Sequence, residues 1–491
     1  MTGEKLRARA YPLYLAGALL AAALVAYSQT YAFAWDEGFH IVAAQLIKAG
    51  RRPYLDWMFP QTPLNAYWNA FWLRMAGESW RTTHAVAALE TAIAALLTGI
   101  FALKKFPVAR WRLAAAIFCM VLVGTNLLVI EFGTLAQSYG FSLLATVVAF
   151  WFTTMTVDRA TAVLPFAAGL FSGIAAGGSL LTAPVAPSLL VWMLLCNRAG
   201  SRWWKLAVFV GGCVVAWIPI LRLFAMGPRQ TWFSIVQYHL YYRQVEWSGA
   251  LRHDLETAAG LFNSLQAVLL VLLAVGGTLF VYRRSGWERA RKQEFYLCVL
   301  LTVALVVHVS SAHPTFARYY LFTTPFLSYL AAAGIYFAGS RLWSAEHPWL
   351  PVAMVCVIMT LSAAKSLYDI RDEMSFQDME EVAQKVGQVA PADKSLVADE
   401  VIFFLLHRPP PPGMAVRDSN KLNLPPKQAA LLHILPHAEL QKRVQSGGYY
   451  AVEFCDDDAW FDADHLTPVF KNHAEVGDCH VFWDPRPPAP K

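Results

Sequence analysis

Two carboxylates stand side by side in Trp35-Asp36-Glu37-Gly38-Phe39-His40, and a third closes Pro53-Tyr54-Leu55-Asp56. A carboxylate next to an acceptor hydroxyl can serve as a general base. Glu37 and His40 are also spaced by one helical turn, which supplies half of a metal site. The same acids suit a structural task, because Asp at an N-cap and Glu in the first turn stabilise a helix start. Further along, Arg318-Tyr319-Tyr320 sets a cation just before an apolar run. It can neutralise a departing phosphate or anchor the chain at a membrane interface. Glu90 interrupts another apolar run, with Val86, Ala87, Ile93 and Ala94 as helical neighbours and no cation among them. A carboxylate there must face a polar cavity or stay neutral. His40, Gln61, Arg222 and His313 complete the polar side chains that could line a cavity or meet a substrate.

The elements holding these residues are apolar helices. Of 491 residues, 57% are hydrophobic and 15% charged, with 40 Lys and Arg and 34 Asp and Glu. An ordinary soluble chain of this length would carry roughly 120 charged residues. That deficit excludes disorder and a purely soluble enzyme. The apolar runs are continuous rather than alternating, so they predict helices and not a β-barrel. About eleven such runs fit spans: Tyr11–Phe33, Thr82–Leu103, Leu113–Ile130, Ser138–Val157, Ala162–Gly177, Ala183–Cys196, Leu206–Phe224, Ala258–Tyr282, Phe295–Ser310, Tyr320–Gly339 and Leu350–Ser366.

Charge placement orients the spans. Lys104, Lys105, Arg110 and Arg112, then Arg198, Arg202 and Lys205, then Arg283, Arg284, Arg289, Arg291 and Lys292 collect in alternate loops. The positive-inside rule makes those loops cytoplasmic, with the N-terminus inside and the C-terminus outside. The net charge of +6 is thus a topology signal and no sign of nucleic acid. Trp35 to Arg81, Met226 to Thr257 and everything after Ser366 fall outside. The first of these contains Leu64-Asn65-Ala66-Tyr67-Trp68-Asn69-Ala70-Phe71-Trp72, whose pattern suits helices lying in the interface. The Trp232 to Trp247 segment is aromatic enough to stack on sugars or to form an interfacial belt.

Charges return after residue 366, and short helical runs (Met379–Val389, Lys427–Leu435, Ala438–Gln445) alternate with strand-like Ser395–Ala398, Tyr449–Phe454 and Cys479–Trp483. The expectation is two domains: an α-helical polytopic membrane domain over 1–366 and a small extracytoplasmic α/β domain over 367–491. Cys455 and Cys479 end and begin consecutive strand-like runs in an oxidising compartment, which predicts a disulfide. The other five cysteines fall in or beside apolar runs and are expected to pack as small hydrophobes. Zinc-type cysteine spacings are missing.

The order of these motifs resembles the GT-C superfamily of integral-membrane glycosyltransferases, in particular the bacterial branch related to protein O-mannosyltransferases and the lipid A aminoarabinose transferase. The resemblance rests on the first span, the Asp-Glu pair, the interfacial helix, the Pro-Tyr-x-Asp turn, the Pro-Leu helix start and Arg318-Tyr319-Tyr320 with Pro325. It implies transfer of a sugar from a polyprenyl-phosphate carrier to a glycan, lipid or protein acceptor at the outer face of the bacterial inner membrane. Asp36, with Glu37 beside it, and Asp56 would be the catalytic carboxylates. Arg318 and Tyr319 would bind the donor phosphate. The chain departs from the pattern where relatives carry His-Pro-Pro-Leu and here Gln61-Thr62-Pro63-Leu64 stands. It also lacks the family's lysine after the fifth span, where Gly177-Gly178-Ser179 occurs, and has Phe322 where relatives often have proline.

Because a polyprenyl phosphate is already a good leaving group, inverting transfer needs one base on the acceptor and a positive charge at the phosphate. Arg222, His313 or a divalent cation are alternatives to Arg318 for that charge. A lipid-linked sugar transporter or flippase without transfer chemistry is the competing class, although paired repeats are not visible. A sensor or scaffold would leave the acidic loop without a task.

Overall fold

The computed structural model describes residues 3–247, 249–284, 286–344, 346–455, 461 and 463–487. Met1 and Lys491, the outer limits of the two expected domains, lie outside them. All eleven apolar runs are helical, but among the described residues eight helices are long and apolar enough to cross a membrane: Ala10–Thr30, Trp80–Lys105, Ser138–Thr156, Arg202–Met226, Leu265–Arg283, Arg291–Ser310, Ala317–Ser344 and Trp349–Asp369. A ninth is counted if Ala109–Gly124 and Leu127–Gly133 are one span bent by 57°. Val163–Gly178 and Leu180–Cys196 are shorter apolar helices, so the expected eleven exceeds the number that qualify by length. Leu19, Leu272, Val307 and Leu361, on four different spans, are 63–65% exposed. Apolar side chains of that size face outward where the solvent is hydrocarbon. The protein is a multi-pass α-helical membrane protein.

The chain forms two compact units. The first gathers Met1–Gln29, His84–Ile218 and Gly249–Asp372. Its core contains Phe101, Trp111, Phe118, Phe150, Phe295, Phe326 and Tyr329. Two of its helices approach at reciprocal glycines: a Cβ on Gly277 would lie 2.1 Å from the Leu330 carbonyl oxygen, and one on Gly334 would lie 2.0 Å from that of Leu273. Small residues at such crossings let backbones touch, which is how apolar helices associate without a hydrophobic drive. At the 57° bend, Asn126 accepts from the Val129 N–H at 3.3 Å. Gln266 accepts from the Leu127 N–H at 3.1 Å and donates to the Thr125 and Met359 carbonyls at 2.7 Å. Backbone groups freed by the break are thereby satisfied.

The loops expected to be cytoplasmic are tied together. Lys105 pairs with Glu294 at 2.5 Å, Arg198 reaches Asp158 at 2.6 Å and Gln293 at 2.8 Å, and the Trp192 indole donates to the Gln293 carbonyl at 2.9 Å.

The second unit gathers Thr30–Thr83, Pro219–Ser248 and Glu373–Lys491. It thus combines the first loop and the aromatic segment with the tail. Among the described residues its sheet has four strands, β1 (Leu396–Val397), β2 (Ala451–Cys455), β3 (Phe470–Val476) and β4 (Cys479–Pro485), in the order β1-β2-β4-β3. β1 and β2 are parallel, and the other pairs are antiparallel. Cys455 lies opposite Cys479 across β2 and β4, and the two are joined by a disulfide. Helices Phe376–Val389, Pro426–Leu431 and His437–Gln445 match three expected runs within a few residues. Helix Glu400–Leu405 and strand β3 are additional elements.

Candidate active site

The acidic motif opens helix Glu37–Lys48. Asp36 holds the N-cap position with helical dihedrals (φ −58°, ψ −13°), and its side chain makes no capping hydrogen bond. A capping aspartate adopts an extended backbone and accepts from the first turn, so Asp36 is not spent on that task. Its side chain is half-buried, whereas Glu37 is fully buried and His40 is 5% exposed. His40 stacks on Phe39 at 4.3 Å and meets Phe59 edge-on at 6.2 Å, which fits a packed imidazole.

Gly38 explains how this motif is held. A Cβ there would stand 2.9 Å from the Glu400 Cβ and 3.2 Å from the Val401 backbone nitrogen. Only a residue without a side chain lets helix Glu400–Leu405 come so close. That helix starts in a buried acidic cluster. Asp399 caps it, accepting from the Val401 N–H at 3.0 Å, and pairs with Arg417 at 3.3 Å. The Asp399 N–H donates to Glu453 at 2.9 Å, and the Arg417 N–H donates to Glu400 at 2.6 Å. Burial, with the Asp399 charge added, pushes the Glu400 carboxyl up to about 8 and that of Glu453 up to about 7.

Asp56 lies in a tight turn. The Arg52 guanidinium donates to its Oδ1 at 3.0 Å and to its Oδ2 at 3.3 Å, and the Arg52 N–H donates to Oδ2 at 2.7 Å. These hydrogen bonds hold the Asp56 carboxyl below the usual range. Tyr54, at φ 68°, donates its hydroxyl to the Gln61 carbonyl at 2.6 Å and so fixes the segment that enters helix Leu64–Ala76. On that helix, Tyr67 is raised by burial and opposed by the charge of Arg222, whose own side chain is exposed. The Trp232–Trp247 segment is used for packing. Phe233 and Tyr238 are buried with Met58, Val416, Leu422, Leu432 and Ile434, and the His239 Nε2 lies 2.9 Å from the Pro60 carbonyl.

Within the first unit, Arg318 and Tyr319 lie on the 3-10 helix Ala317–Thr323. The Arg318 guanidinium sits 4.5 Å from the Phe316 ring centre, 5.7 Å from that of Phe132 and 5.9 Å from that of Tyr319. Such a cage orients the cation through the ring quadrupoles. The loop before it is braced by two residues that the sequence reading passed over. Asp254, 7% exposed on helix Ala250–Gly260, takes a hydrogen bond from the Thr315 N–H at 2.6 Å and pairs with the His313 imidazole. The His253 Nε2 lies 3.1 Å from the Thr315 carbonyl. His313 is therefore a partner of Asp254. Glu90 is 8% exposed on helix Trp80–Lys105, and the next residue, Thr91, donates to the Gly133 carbonyl.

ArnT from Cupriavidus metallidurans bound to undecaprenyl phosphate superposes with a TM-score of 0.69 at 14% identity, over 96% of this chain and 97% of that one. This chain has the GT-C fold. Two other GT-C structures agree at lower similarity. The Archaeoglobus fulgidus oligosaccharyltransferase AglB in complex with an inhibitory peptide and a dolichol-phosphate gives 0.53 at 12% identity, covering 92% of this chain and 70% of that one. The mycobacterial arabinofuranosyltransferase AftD gives 0.53 at 14% identity, covering 96% and 41%. No protein-family model matches the chain. No curated protein matches it by sequence either. The GT-C likeness is thus one of backbone path.

Proposed function

We propose that the chain is a glycosyltransferase that moves a sugar from a polyprenyl-phosphate carrier to an acceptor hydroxyl on the outer face of a bacterial plasma membrane, with inversion. The observation carrying this reading is the end-to-end GT-C likeness to a structure that holds undecaprenyl phosphate. Asp36 takes the acceptor proton, and the acceptor oxygen attacks the anomeric carbon from the face opposite the phosphate. The carbon–oxygen bond to phosphate breaks, and polyprenyl phosphate leaves with the electron pair. Arg318, with the Tyr319 hydroxyl, stabilises the charge that develops on it. Asp36 is preferred to Asp56 because both Asp56 oxygens are taken up by Arg52. Glu37, the adjacent buried carboxylate, positions the motif; His40, Gln61, Arg222, Glu90 and His313 are further residues proposed to meet substrate. The C-terminal domain would then be extracytoplasmic.

The test is turnover in nanodiscs with a panel of polyprenyl-phosphate sugars, monitored by released polyprenyl phosphate. Asp36→Asn should lower transfer by roughly two to four orders of magnitude and largely spare carrier binding. Asn keeps the shape of the side chain and removes the proton acceptor. A folded Asp36→Asn protein with normal turnover would thus return Asp36 to a structural role. Transport of the lipid-linked sugar without release of carrier phosphate would establish the transporter class instead.

A further inference from the structure

The hairpin of β3 and β4 carries a cluster that neither the glycosyl-transfer chemistry nor the domain core requires. Glu475 lies opposite His480 in the antiparallel register, and His473 lies opposite Phe482. Side chains alternate along a strand, so His473 and Glu475 share one face, and the cross-strand partner His480 joins them there. One ligand atom from each of the three lies within 4.8 Å of the others. The His473 Nε2 and His480 Nδ1 are 3.1 Å apart, and the His480 Nδ1 is 3.9 Å from the Glu475 carboxylate.

Packing sets the two rings in place. His473 stacks on Phe482 at 4.2 Å and 14°, and His480 lies 5.2 Å from Phe454. Both phenylalanines are buried, at 1% and 4% exposure. Glu475, by contrast, is 68% exposed and free to swing. Two nitrogens bound to zinc at about 2.0–2.1 Å with a tetrahedral angle stand roughly 3.3 Å apart. The hairpin needs only about 0.2 Å of opening to reach that value. Among the described residues, the other close group, Glu453 with Cys455 and Cys479, offers no thiolate because its cysteines are joined.

We propose that His473, Glu475 and His480 form a zinc-type divalent transition-metal site on the C-terminal domain, with the fourth position open to water. Two imidazoles and one carboxylate are a donor set suited to Zn²⁺ and poorly suited to Ca²⁺ or Mg²⁺, which take oxygen ligands. The ion would clamp the edge strand β3 to β4, and it acts independently of any role of Asp36.

The full chain, purified in detergent with its affinity tag removed, disulfide intact and metal stripped by EDTA, is titrated with Zn²⁺ against a chromophoric chelator. One equivalent should bind to the parent protein and to Asp36→Asn alike. His473→Gln and His480→Gln should each weaken it by more than about a hundredfold, since loss of even outer-shell partners costs 10- to 100-fold. Glu475→Gln, at an exposed site that cannot compromise folding, should weaken it by about tenfold or more. Co²⁺ substituted at the site should show tetrahedral visible bands without thiolate charge transfer. An equivalent retained at full affinity in the His473→Gln, His480→Gln double variant, or lost in Asp36→Asn, would overturn the assignment. So would failure of the parent to bind Zn²⁺.

Discussion

Raising the pH from 6 to 8 should loosen the second unit around the Glu400–Glu453 cluster. An unfolded glutamate loses its proton near pH 4.5, whereas in the fold Glu400 holds its proton to about 8 and Glu453 to about 7. A carboxyl raised by folding contributes stability that is complete below the unfolded value and is lost as pH climbs through the folded one. At pH 6 both groups are protonated in the fold and ionised in the unfolded chain. At pH 8 most of that difference has gone. The linkage relation gives a loss of about 2–4 kcal/mol for the two together, the range allowing for their shared environment. Hydrogen exchange reads this directly. After correction for intrinsic rates, protection of the amides in Ala451–Cys455 and Glu400–Leu405 should fall by roughly 30- to 900-fold between pH 6 and 8. Glu453→Gln should remove part of the slope. Protection that stayed flat or rose over that interval would refute the argument, because it would mean that the carboxyls are already ionised in the fold.

The other predictions concern single contacts. Asp56→Asn removes a largely exposed charge pair with Arg52, so it should cost less than about 1 kcal/mol of stability and leave transfer near normal; a collapse of turnover with carrier binding intact would give Asp56 a chemical role. Asp254→Ala removes the brace of the His313–Thr315 loop. Carrier affinity should weaken by about 10- to 100-fold, as expected for loss of charge-assisted hydrogen bonds. An unchanged affinity would show that Arg318 is positioned without it.

The spans were legible because apolar runs long enough to cross a bilayer have few other uses, and the acidic motif stood out because it follows one of them directly. Strand β3 was not legible. It is an edge strand whose Lys471, Asn472, His473 and Glu475 meet solvent, so it reads as loop. Asp254 was passed over because its partner His313 lies 59 positions away, and an acid in a polar loop carries no local mark of burial. Glu400 and Glu453 were hidden for the same reason, since only the fold reveals that their neighbours exclude water. The aromatic segment was readable as aromatic, but the burial of Phe233 and Tyr238 against tail residues depends on contacts that no local pattern encodes.

The first loop is completed by residues made much later. The Trp80 indole donates to Glu380, 300 positions further along the chain, and Gly38 rests on Glu400 and Val401, further still. At roughly 5–20 residues per second, a ribosome needs about 15–60 s to cover 300 positions. During that time the early spans can insert, but the acid-bearing helix lacks the later helix against which Gly38 packs. The order of synthesis therefore acts as a timer on the nascent protein. A chain cut short before its last quarter would contain Asp36 and Glu37 yet lack the surface that sets their geometry.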